Sequence, residues 1–250
     1  MADAKQVIVR VKRQVSPQGT PYWEEFALTW RPAMNVIICL RDIAENPVTR
    51  DGKKTTPISY DSNCLEEVCG SCAMRVNGKA RMACSALVDQ LEQPIRLEPL
   101  SKFPVVRDLA VDRQFMFESL KRVKAWIPID GTYDLGEGPR MAPDAQEKAY
   151  PLSRCITCGN CLEVCPQVNE NSKFIGAAII SQARLFNMHP TGSMHARERI
   201  SALMLPGGVQ DCANVQNCVK ACPKEIPLTE SIAEMNRAAW KQALLGWLLG

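Results

Sequence analysis

Alternating apolar positions indicate β-structure at the start of this chain. Val7, Val9 and Val11 alternate with the residues between them, which predicts a strand over residues 5–14. Turn-forming residues follow, and residues 21–30 have the composition of a returning strand. The chain is therefore expected to begin with a β-hairpin.

A helix and a second hairpin are predicted next. Apolar residues at helical spacing over 35–45 predict the helix. Asn77-Gly78 is a dipeptide preferred in two-residue hairpin turns, and residues 94–98 predict a closing strand. Strands arranged around one helix predict an α+β domain, which is expected to cover residues 1–106.

The periodicity becomes helical over the rest of the chain, residues 107–250. Apolar residues recur at helical spacing in 108–125, 174–187, 194–205 and 229–245. The segment 126–151 is rich in proline and glycine, so an irregular loop is expected there. The second domain is therefore predicted to be mostly helical.

Composition and charge disfavour several kinds of protein. The 250 residues have a formal net charge of +3 and are 46% hydrophobic, as expected of a folded chain rather than a disordered one. No lysine- or arginine-rich tract indicates a nucleic-acid partner. There is no apolar run of the ~20 residues that a membrane span needs, and no apolar stretch of signal-peptide length, so a cytoplasmic location is expected.

Twelve cysteines need an explanation in a chain expected in a reducing compartment. Disulfides are disfavoured there, and all the cysteines except Cys39 fall into spaced clusters, which favours metal ligation. Cys39 lies in an apolar run and is predicted to be a buried, inert thiol.

The first cluster has nearly the spacing of plant-type 2Fe–2S ferredoxins, although its last cysteine comes sooner. The ligands of this 2Fe–2S site are predicted to be Cys64, Cys69, Cys72 and Cys84. The small residues Gly70 and Ser71 would let backbone N–H groups approach the sulfides. Zinc is the alternative, but it prefers C-x2-C pairs, and Cys64 and Cys69 are five positions apart.

Two later cysteine runs form an internal repeat. The first run has the spacing of bacterial two-cluster ferredoxins, namely Cys155-x2-Cys158-x2-Cys161-x3-Cys165-Pro166. The second run has one changed position, namely Cys212-x2-Val215-x2-Cys218-x3-Cys222-Pro223. The three cysteines of the second run would by themselves also suit zinc or a protein core. The recurrence of the spacing in phase favours iron–sulfur ligation.

Exchange of the fourth cysteines predicts two different clusters, because in such ferredoxins the fourth cysteine of each run ligates the other run's cluster. The predicted 4Fe–4S ligands are Cys155, Cys158, Cys161 and Cys222. The other set has one thiolate fewer, because Val215 offers iron no lone pair. A 3Fe–4S cluster is therefore predicted there, with the ligands Cys165, Cys212 and Cys218.

No nucleotide-binding motif and no nucleophile–base pair is evident in the sequence. The two histidines, His189 and His195, lie beside predicted helices, where surface or capping roles are expected. The chain is therefore predicted to carry electrons without a substrate site of its own.

Three cysteine clusters in this order, with Val215 in the last, resemble the iron–sulfur subunit of succinate dehydrogenase and fumarate reductase. The resemblance covers nearly the whole chain. It implies a β-grasp plant-type ferredoxin domain over 1–106, followed by an all-α bacterial-type ferredoxin domain over 107–250. It also implies an FAD-containing flavoprotein partner that holds the dicarboxylate site, with the 2Fe–2S cluster nearest the flavin and the 4Fe–4S cluster in the middle.

The resemblance further implies that the 3Fe–4S cluster faces a quinone at a membrane-anchor subunit, on the cytoplasmic face of the cell membrane. Ubiquinone-linked members typically have Trp shortly after the Cys-Pro pair and His after the first cysteine of the last run. Here residues 167–170 are QVNE, and Ala213 follows Cys212. This departure favours the menaquinone-linked branch, whose anchor is typically a cytochrome b with haem. Pro166, Ala213 and Val215 are expected to be nearest the quinone.

The sequence leaves open the direction of electron flow and the kind of protein complex to which the chain belongs. The chain suits succinate oxidation or, in the opposite direction, quinol:fumarate reduction. A thiol-linked fumarate reductase and a zinc-stapled interaction protein are two further candidates. The apolar segment 240–249 is too short to span a membrane, so it either packs on this protein or contacts the anchor or the lipid interface.

Overall fold

The chain divides into two compact units, Met1–Arg113 and Gln114–Gly250, in a computed structural model that describes residues 5–127 and 139–249. Among these described residues, all strands belong to the first unit, and the second unit is helical. The α+β and all-α folds expected for the two parts of the chain are therefore confirmed.

The first unit contains seven strands and one α-helix among its described residues. In chain order they are β1 (Gln6–Arg13), β2 (Tyr22–Thr29), α1 (Val36–Glu45), β3 (Ala73–Val76), β4 (Lys79–Met82), β5 (Ile95–Glu98), β6 (Val105–Arg107) and β7 (Ala110–Val111). The main sheet has the order β2-β1-β5-β3-β4, in which β1 and β5 are parallel and the other pairs are antiparallel. This mixed five-stranded sheet with one helix is a β-grasp fold.

Local sequence explains the elements of this sheet. Val7, Val9 and Val11 are fully buried on one face of β1, as their alternation predicted. The side chain of Asn35 accepts a hydrogen bond from the Ile38 N–H and so caps the start of α1. The predicted β1–β2 hairpin, the helix α1 and the closing strand β5 are all confirmed.

The turn between β3 and β4 is the one predicted from Asn77-Gly78. Both residues have positive φ angles, 49° at Asn77 and 78° at Gly78. A two-residue hairpin turn needs this backbone twist, and Asn and Gly adopt it at low cost. The turn reverses the chain so that Ala73 pairs with Met82.

A buried ion-pair network joins the two sheets of the first unit. Arg13 is 1% exposed and donates from Nε to Asp108 Oδ1 at 2.9 Å and from Nη1 to Glu24 Oε2 at 2.5 Å. Asp108 also accepts the backbone N–H groups of Gln14 and Ser59 at 3.1 and 3.0 Å. The network therefore fastens the end of β1 to β2 and to the turn between β6 and β7.

The helix predicted over 108–125 is wrong in its first part. Asp108 lies in the β6–β7 turn with a φ of 47°, and Leu109 is buried beside it. The helix α2 begins only at Gln114 and ends at Arg122. The buried contacts of Asp108 outweigh the helical spacing of the apolar residues. The domain boundary predicted between 106 and 107 would cut this hairpin, whereas the compact units divide after Arg113.

The second unit is built of seven α-helices in the described part of the chain. They are α2 (Gln114–Arg122), α3 (Pro143–Ser153), α4 (Asn160–Glu163), α5 (Ala177–Met188), α6 (Ala196–Met204), α7 (Asn217–Ala221) and α8 (Leu228–Leu249). The helix α5 is central, since it packs against α3, α6 and α8 and buries Ile179, Ile180 and Ala183. The helices predicted over 174–187 and 194–205 are confirmed as α5 and α6.

Arg199 holds the chain after α2 in place. Its guanidinium is fully buried and donates to the carbonyl oxygens of Lys124, Trp126 and Gly192 at 2.8, 2.8 and 2.6 Å. Buried polar groups need such partners, because an unpaired one costs free energy. The side chain thus connects α6 to the chain after α2 and to the chain at Gly192.

Two predictions for the second unit need correction. The irregular loop expected over 126–151 contains α3, which begins at Pro143 with a proline in its first turn. The residues 128–138 of that prediction lie outside those that the structure describes. The last helix is longer than the predicted 229–245, since α8 runs from Leu228 to Leu249. Within the described residues, no helix is long and apolar enough to cross a membrane.

Replacement of Asp108 by alanine should strongly destabilise the first unit. The change leaves Arg13 buried with one carboxylate instead of two, and breaking a buried pair in this way typically costs about 3–5 kcal/mol. Denaturant unfolding monitored in the β-grasp unit measures the loss. Glu92→Ala, at an exposed site, is the matched control. An equal, small loss for both variants would contradict the structural role of the network.

Candidate metal centres

The β3–β4 hairpin brings two of the first cluster's cysteines together. Cys72 precedes β3 and Cys84 follows β4, and the Ala83 N–H donates to the Cys72 carbonyl at 3.1 Å. The Asn35 side chain, which also caps α1, donates to the Cys84 carbonyl at 2.9 Å. The hairpin and the helix thus position both cysteines, as the Asn77-Gly78 turn led us to expect.

Backbone N–H groups of the first cysteine loop point at sulfur atoms. Cys64 Sγ lies 3.2 Å from the Val68 nitrogen and 3.3 Å from the Cys69 nitrogen. Cys84 Sγ lies 3.3 Å from the Glu67 nitrogen. These donors stabilise negative charge on sulfur, so the loop is suited to thiolates rather than to neutral thiols.

The donors point inward because the loop has left-handed residues. Leu65, Glu67 and Gly70 have φ angles of 65°, 58° and 76°. Such residues turn successive N–H groups to one side, a geometry found at anion and iron–sulfur sites. Leu65 and Glu67 adopt it against the preference of residues with a Cβ, and such strain concentrates at functional sites.

The thiols of this loop differ in acidity. A backbone hydrogen bond from Cys64 and a side-chain hydrogen bond from Ser71 lower the pKa of Cys69 to about 6. Burial, followed by the neighbouring Cys72, raises the pKa of Cys84 to about 12. A metal cation binds the thiolate form, so ligation would bring both sulfurs to the same charge state.

Arg113 fastens the same loop from outside the cysteines. Its Nη1 donates to the Gly70 carbonyl at 2.8 Å and its Nη2 to the Ser71 carbonyl at 2.6 Å. The guanidinium therefore holds the two residues between Cys69 and Cys72. Sequence analysis missed Arg113, because a single arginine forms no pattern.

In the second unit, one cavity is lined by cysteines of both later runs. The thiols that line it are Cys155, Cys158, Cys161 and Cys222. The other lining side chains are mainly apolar and include Met116, Ile226 and Leu228. Burial raises the pKa of the Cys161 thiol well above its ordinary value, and Cys158 raises it further. The four cysteines of the predicted 4Fe–4S set therefore lie together.

A second cavity is lined by the three remaining cysteines of these runs. They are Cys165, Cys212 and Cys218. Val215, Pro166 and Ala213, the predicted quinone-proximal residues, line the same cavity. Val215 is 48% exposed, so this cavity reaches the protein surface beside the position without a thiol. Burial raises the pKa of the Cys218 thiol.

The two runs share a backbone path as well as a spacing. Thr157 and Asn214 occupy equivalent positions and have φ angles of 51° and 53°. Gly159 and Gln216, also equivalent, have φ angles of 88° and 66°. The N–H of Asn214 lies 3.4 Å from Cys212 Sγ, as expected of a loop that turns its donors toward sulfur. The repeat therefore extends to the conformation that aims the donors.

The donor sets fit iron–sulfur clusters. All twelve cysteines are free thiols, and Cys39 is buried with its pKa raised to about 12 by burial, as predicted for an inert thiol. Among the described residues, no three His, Cys, Asp or Glu side chains lie close enough together to hold a single metal ion. A cluster has a different requirement, because its thiolates are divided among several irons, with two on each iron of a 2Fe–2S cluster and one on each ligated iron of a 4Fe–4S or 3Fe–4S cluster.

Comparisons with known proteins agree with this arrangement. A family model described as a 2Fe-2S iron-sulfur cluster binding domain matches residues 7–118, and a 4Fe-4S dicluster domain model matches residues 151–226. The chain is 60% identical to the succinate dehydrogenase iron-sulfur subunit of Bacillus subtilis (strain 168), over 97% of this chain and 96% of that relative. It is 30% identical to the fumarate reductase iron-sulfur subunit of Wolinella succinogenes, over 89% and 91% of the two chains.

A solved structure shows the same fold. One chain of the Mycobacterium smegmatis Sdh1 complex in the apo form matches with a TM-score of 0.76 and 23% identity, over 96% of this chain and 97% of that chain. A β-grasp 2Fe–2S domain followed by a helical 4Fe–4S dicluster domain defines a multicluster iron–sulfur protein. The chain belongs to the family of succinate dehydrogenase and fumarate reductase iron–sulfur subunits. The resemblance inferred from the cysteine clusters is therefore confirmed.

Replacement of Arg113 by methionine should loosen the first cysteine loop. The change removes two charge-assisted hydrogen bonds to the Gly70 and Ser71 carbonyls, each worth about 1.5–3 kcal/mol. Hydrogen exchange at the Val68 and Cys69 amides of the folded chain should accelerate about tenfold or more. Arg96→Met, at an exposed position of β5, should leave these rates unchanged. Equal exchange rates in both variants would show that the loop keeps its conformation without the Arg113 hydrogen bonds.

Proposed function

We propose that the chain carries electrons between the FAD of a flavoprotein subunit and a quinone at a membrane-anchor subunit, in a succinate:quinone oxidoreductase on the cytoplasmic face of the cell membrane. Oxidation of succinate to fumarate releases two electrons and two protons, and reduction of the quinone to quinol takes up the same number. The 60% identity to a succinate dehydrogenase subunit supports this direction. The similarity to a fumarate reductase subunit supports quinol:fumarate reduction as the second candidate.

Shared cavities are the observation that carries this proposal. The cavity lined by Cys155, Cys158 and Cys161 also contains Cys222 of the second run, and the cavity lined by Cys212 and Cys218 also contains Cys165 of the first run. Two-cluster ferredoxins exchange cysteines in this way. The cysteines would hold three electron carriers, a 2Fe–2S cluster in the first unit and a 4Fe–4S and a 3Fe–4S cluster in the second. The proposed domain division is that of the two compact units.

The burial of the two cysteine sets supports a direction of electron flow. Cys158 and Cys161 of the Cys155 cavity are buried, whereas the three cysteines of the other cavity are partly exposed and Val215 beside them is 48% exposed. Hydrogen bonding and solvent exposure raise the reduction potential of an iron–sulfur cluster, and burial lowers it. Electrons would therefore pass from the 4Fe–4S site toward the 3Fe–4S site.

The same cavity supports a position for the quinone. It opens beside Val215 and is also lined by Pro166 and Ala213. We assign this side to the anchor, a cytochrome b with haem. Gln167 follows Pro166, and Ala213 occupies the position where ubiquinone-linked members typically have His, which supports menaquinone as the acceptor.

Removal of the two exchanged cysteines tests the proposal directly. In the purified complex, Cys222→Ser should abolish the 4Fe–4S EPR signal and keep that of the 3Fe–4S cluster, while Cys165→Ser should do the reverse. Cys39→Ser should keep all signals, because Cys39 lines neither cavity. The 2Fe–2S signal of the first unit reports whether each variant has folded. Loss of the 3Fe–4S signal in Cys222→Ser and of the 4Fe–4S signal in Cys165→Ser would contradict the exchange. Metal analysis that finds zinc without iron would support an interaction protein instead.

A thiol at position 215 should change the second cluster. Val215 lines the second cavity at the place equivalent to Cys158, and its partial exposure leaves room for a cysteine. We expect Val215→Cys to convert the cluster partly or fully to 4Fe–4S, with a lower potential and slower quinone reduction. EPR of the oxidised complex measures the loss of the 3Fe–4S signal. Val215→Ser, which adds no thiolate, should retain it, and an unchanged signal in the cysteine variant would mean that the fold closes the fourth corner.

A further inference from the structure

The last turns of α8 extend beyond the body of the second unit. The final polar attachment is Gln242, whose Nε2 donates to Ser201 Oγ at 2.8 Å and to the Arg197 carbonyl at 3.2 Å. Trp240 is 72% exposed and Trp247 is 78% exposed. Residues 243–248 are all exposed, so this helical end has no covering surface on its own unit.

This helical end, residues 240–248, is named here the C-terminal tip. After Lys241 it contains no charged residue, and its sequence from 243 to 248 is ALLGWL. A helix that is apolar on all sides is normally buried in protein or lipid. Nine helical residues extend about 14 Å, much less than the ~30 Å hydrocarbon core of a bilayer. The tip therefore suits the edge of a membrane rather than its full thickness.

Two cations lie at the base of the tip. Arg197 and Lys241 line a groove between α6 and α8, together with the apolar side chains of Ile200 and Leu245. Neither cation forms an ion pair with any residue that the structure describes. Unpaired cations beside apolar surface complement the phosphate groups of anionic lipids.

We propose that the C-terminal tip inserts into the interfacial layer of a bilayer that contains anionic phospholipid, with Arg197 and Lys241 at the headgroup phosphates. Trp240 and Trp247 are seven residues apart and therefore lie on one side of the helix, and tryptophan prefers this layer. A protein partner fits less well, because Lys241 lies at the base of the tip and lysine, unlike tryptophan and arginine, is depleted in protein interfaces.

This inference goes beyond the proposed function, in which a separate anchor subunit holds the chain at the membrane. Here the chain itself binds lipid, so the complex is attached to the membrane both through its anchor subunit and through the C-terminal tip. Lipid binding by the tip is independent of electron transfer. Its failure would leave the cluster assignments untouched, and a failure of the cluster assignments would leave the tip untouched.

Flotation of the full-length, cluster-loaded chain with lipid vesicles tests the proposal in the absence of the anchor. The chain should float with vesicles of phosphatidylcholine and phosphatidylglycerol, more weakly at high salt, and not with phosphatidylcholine alone. Trp247→Ser with Leu248→Ser should lower the vesicle partition coefficient about tenfold or more, since two large apolar side chains lose their burial. Arg197→Gln and Lys241→Gln should each lower it about fivefold.

The flotation assay includes a control variant outside the C-terminal tip. Trp126→Ser removes a partly exposed indole elsewhere in the second unit and should leave flotation unchanged. Unaltered EPR signals show that each variant is folded. Absence of flotation, or equal flotation of the tip variants and the control, would overturn the proposal. Tip variants that float normally but no longer co-purify with the anchor subunit would also overturn it, in favour of a protein cover.

Discussion

The exchange of cysteines between two runs is the constraint on which the helical unit depends. Cys222 lies in the cavity of the first run, and Cys165 lies in the cavity of the second. Neither cavity is therefore complete until both runs have folded against each other. The buried helix α5 lies between the runs in sequence and packs against α8, so the insertion that separates them also holds them together.

Periodic segments were predictable from the sequence, and positions fixed by single contacts were not. The alternation at Val7, Val9 and Val11 identified β1, because burial of one face of a strand imposes a period of two. Leu109 fitted a helical pattern, but the buried Asp108 beside it belongs to a turn. The spacing of the cysteines predicted which thiols meet. It carried no information about Arg113, whose guanidinium stabilises a loop through two carbonyl groups.

The two later cysteine runs share a backbone conformation but differ in the side chains that could ligate a metal. Left-handed residues at equivalent positions give both loops one backbone path, whether the residue is Gly159 or Gln216. Glycine adopts that conformation freely and glutamine does not, so the path is held by the surrounding structure rather than by local preference. One side chain, Val215 in place of a cysteine, then distinguishes the two cavities without altering the path.

Exchanged cysteines also impose an order on the synthesis of the protein. A ribosome releases Cys155, Cys158 and Cys161 long before Cys222, which lies beyond the whole insertion. A nascent chain therefore presents an incomplete set of thiols, open to oxidation, until translation has passed the second run. Complete ligation of a cluster in the first cavity would have to wait until Cys222 has been made, whereas the cysteines of the β-grasp unit end at Cys84 and would be available earlier.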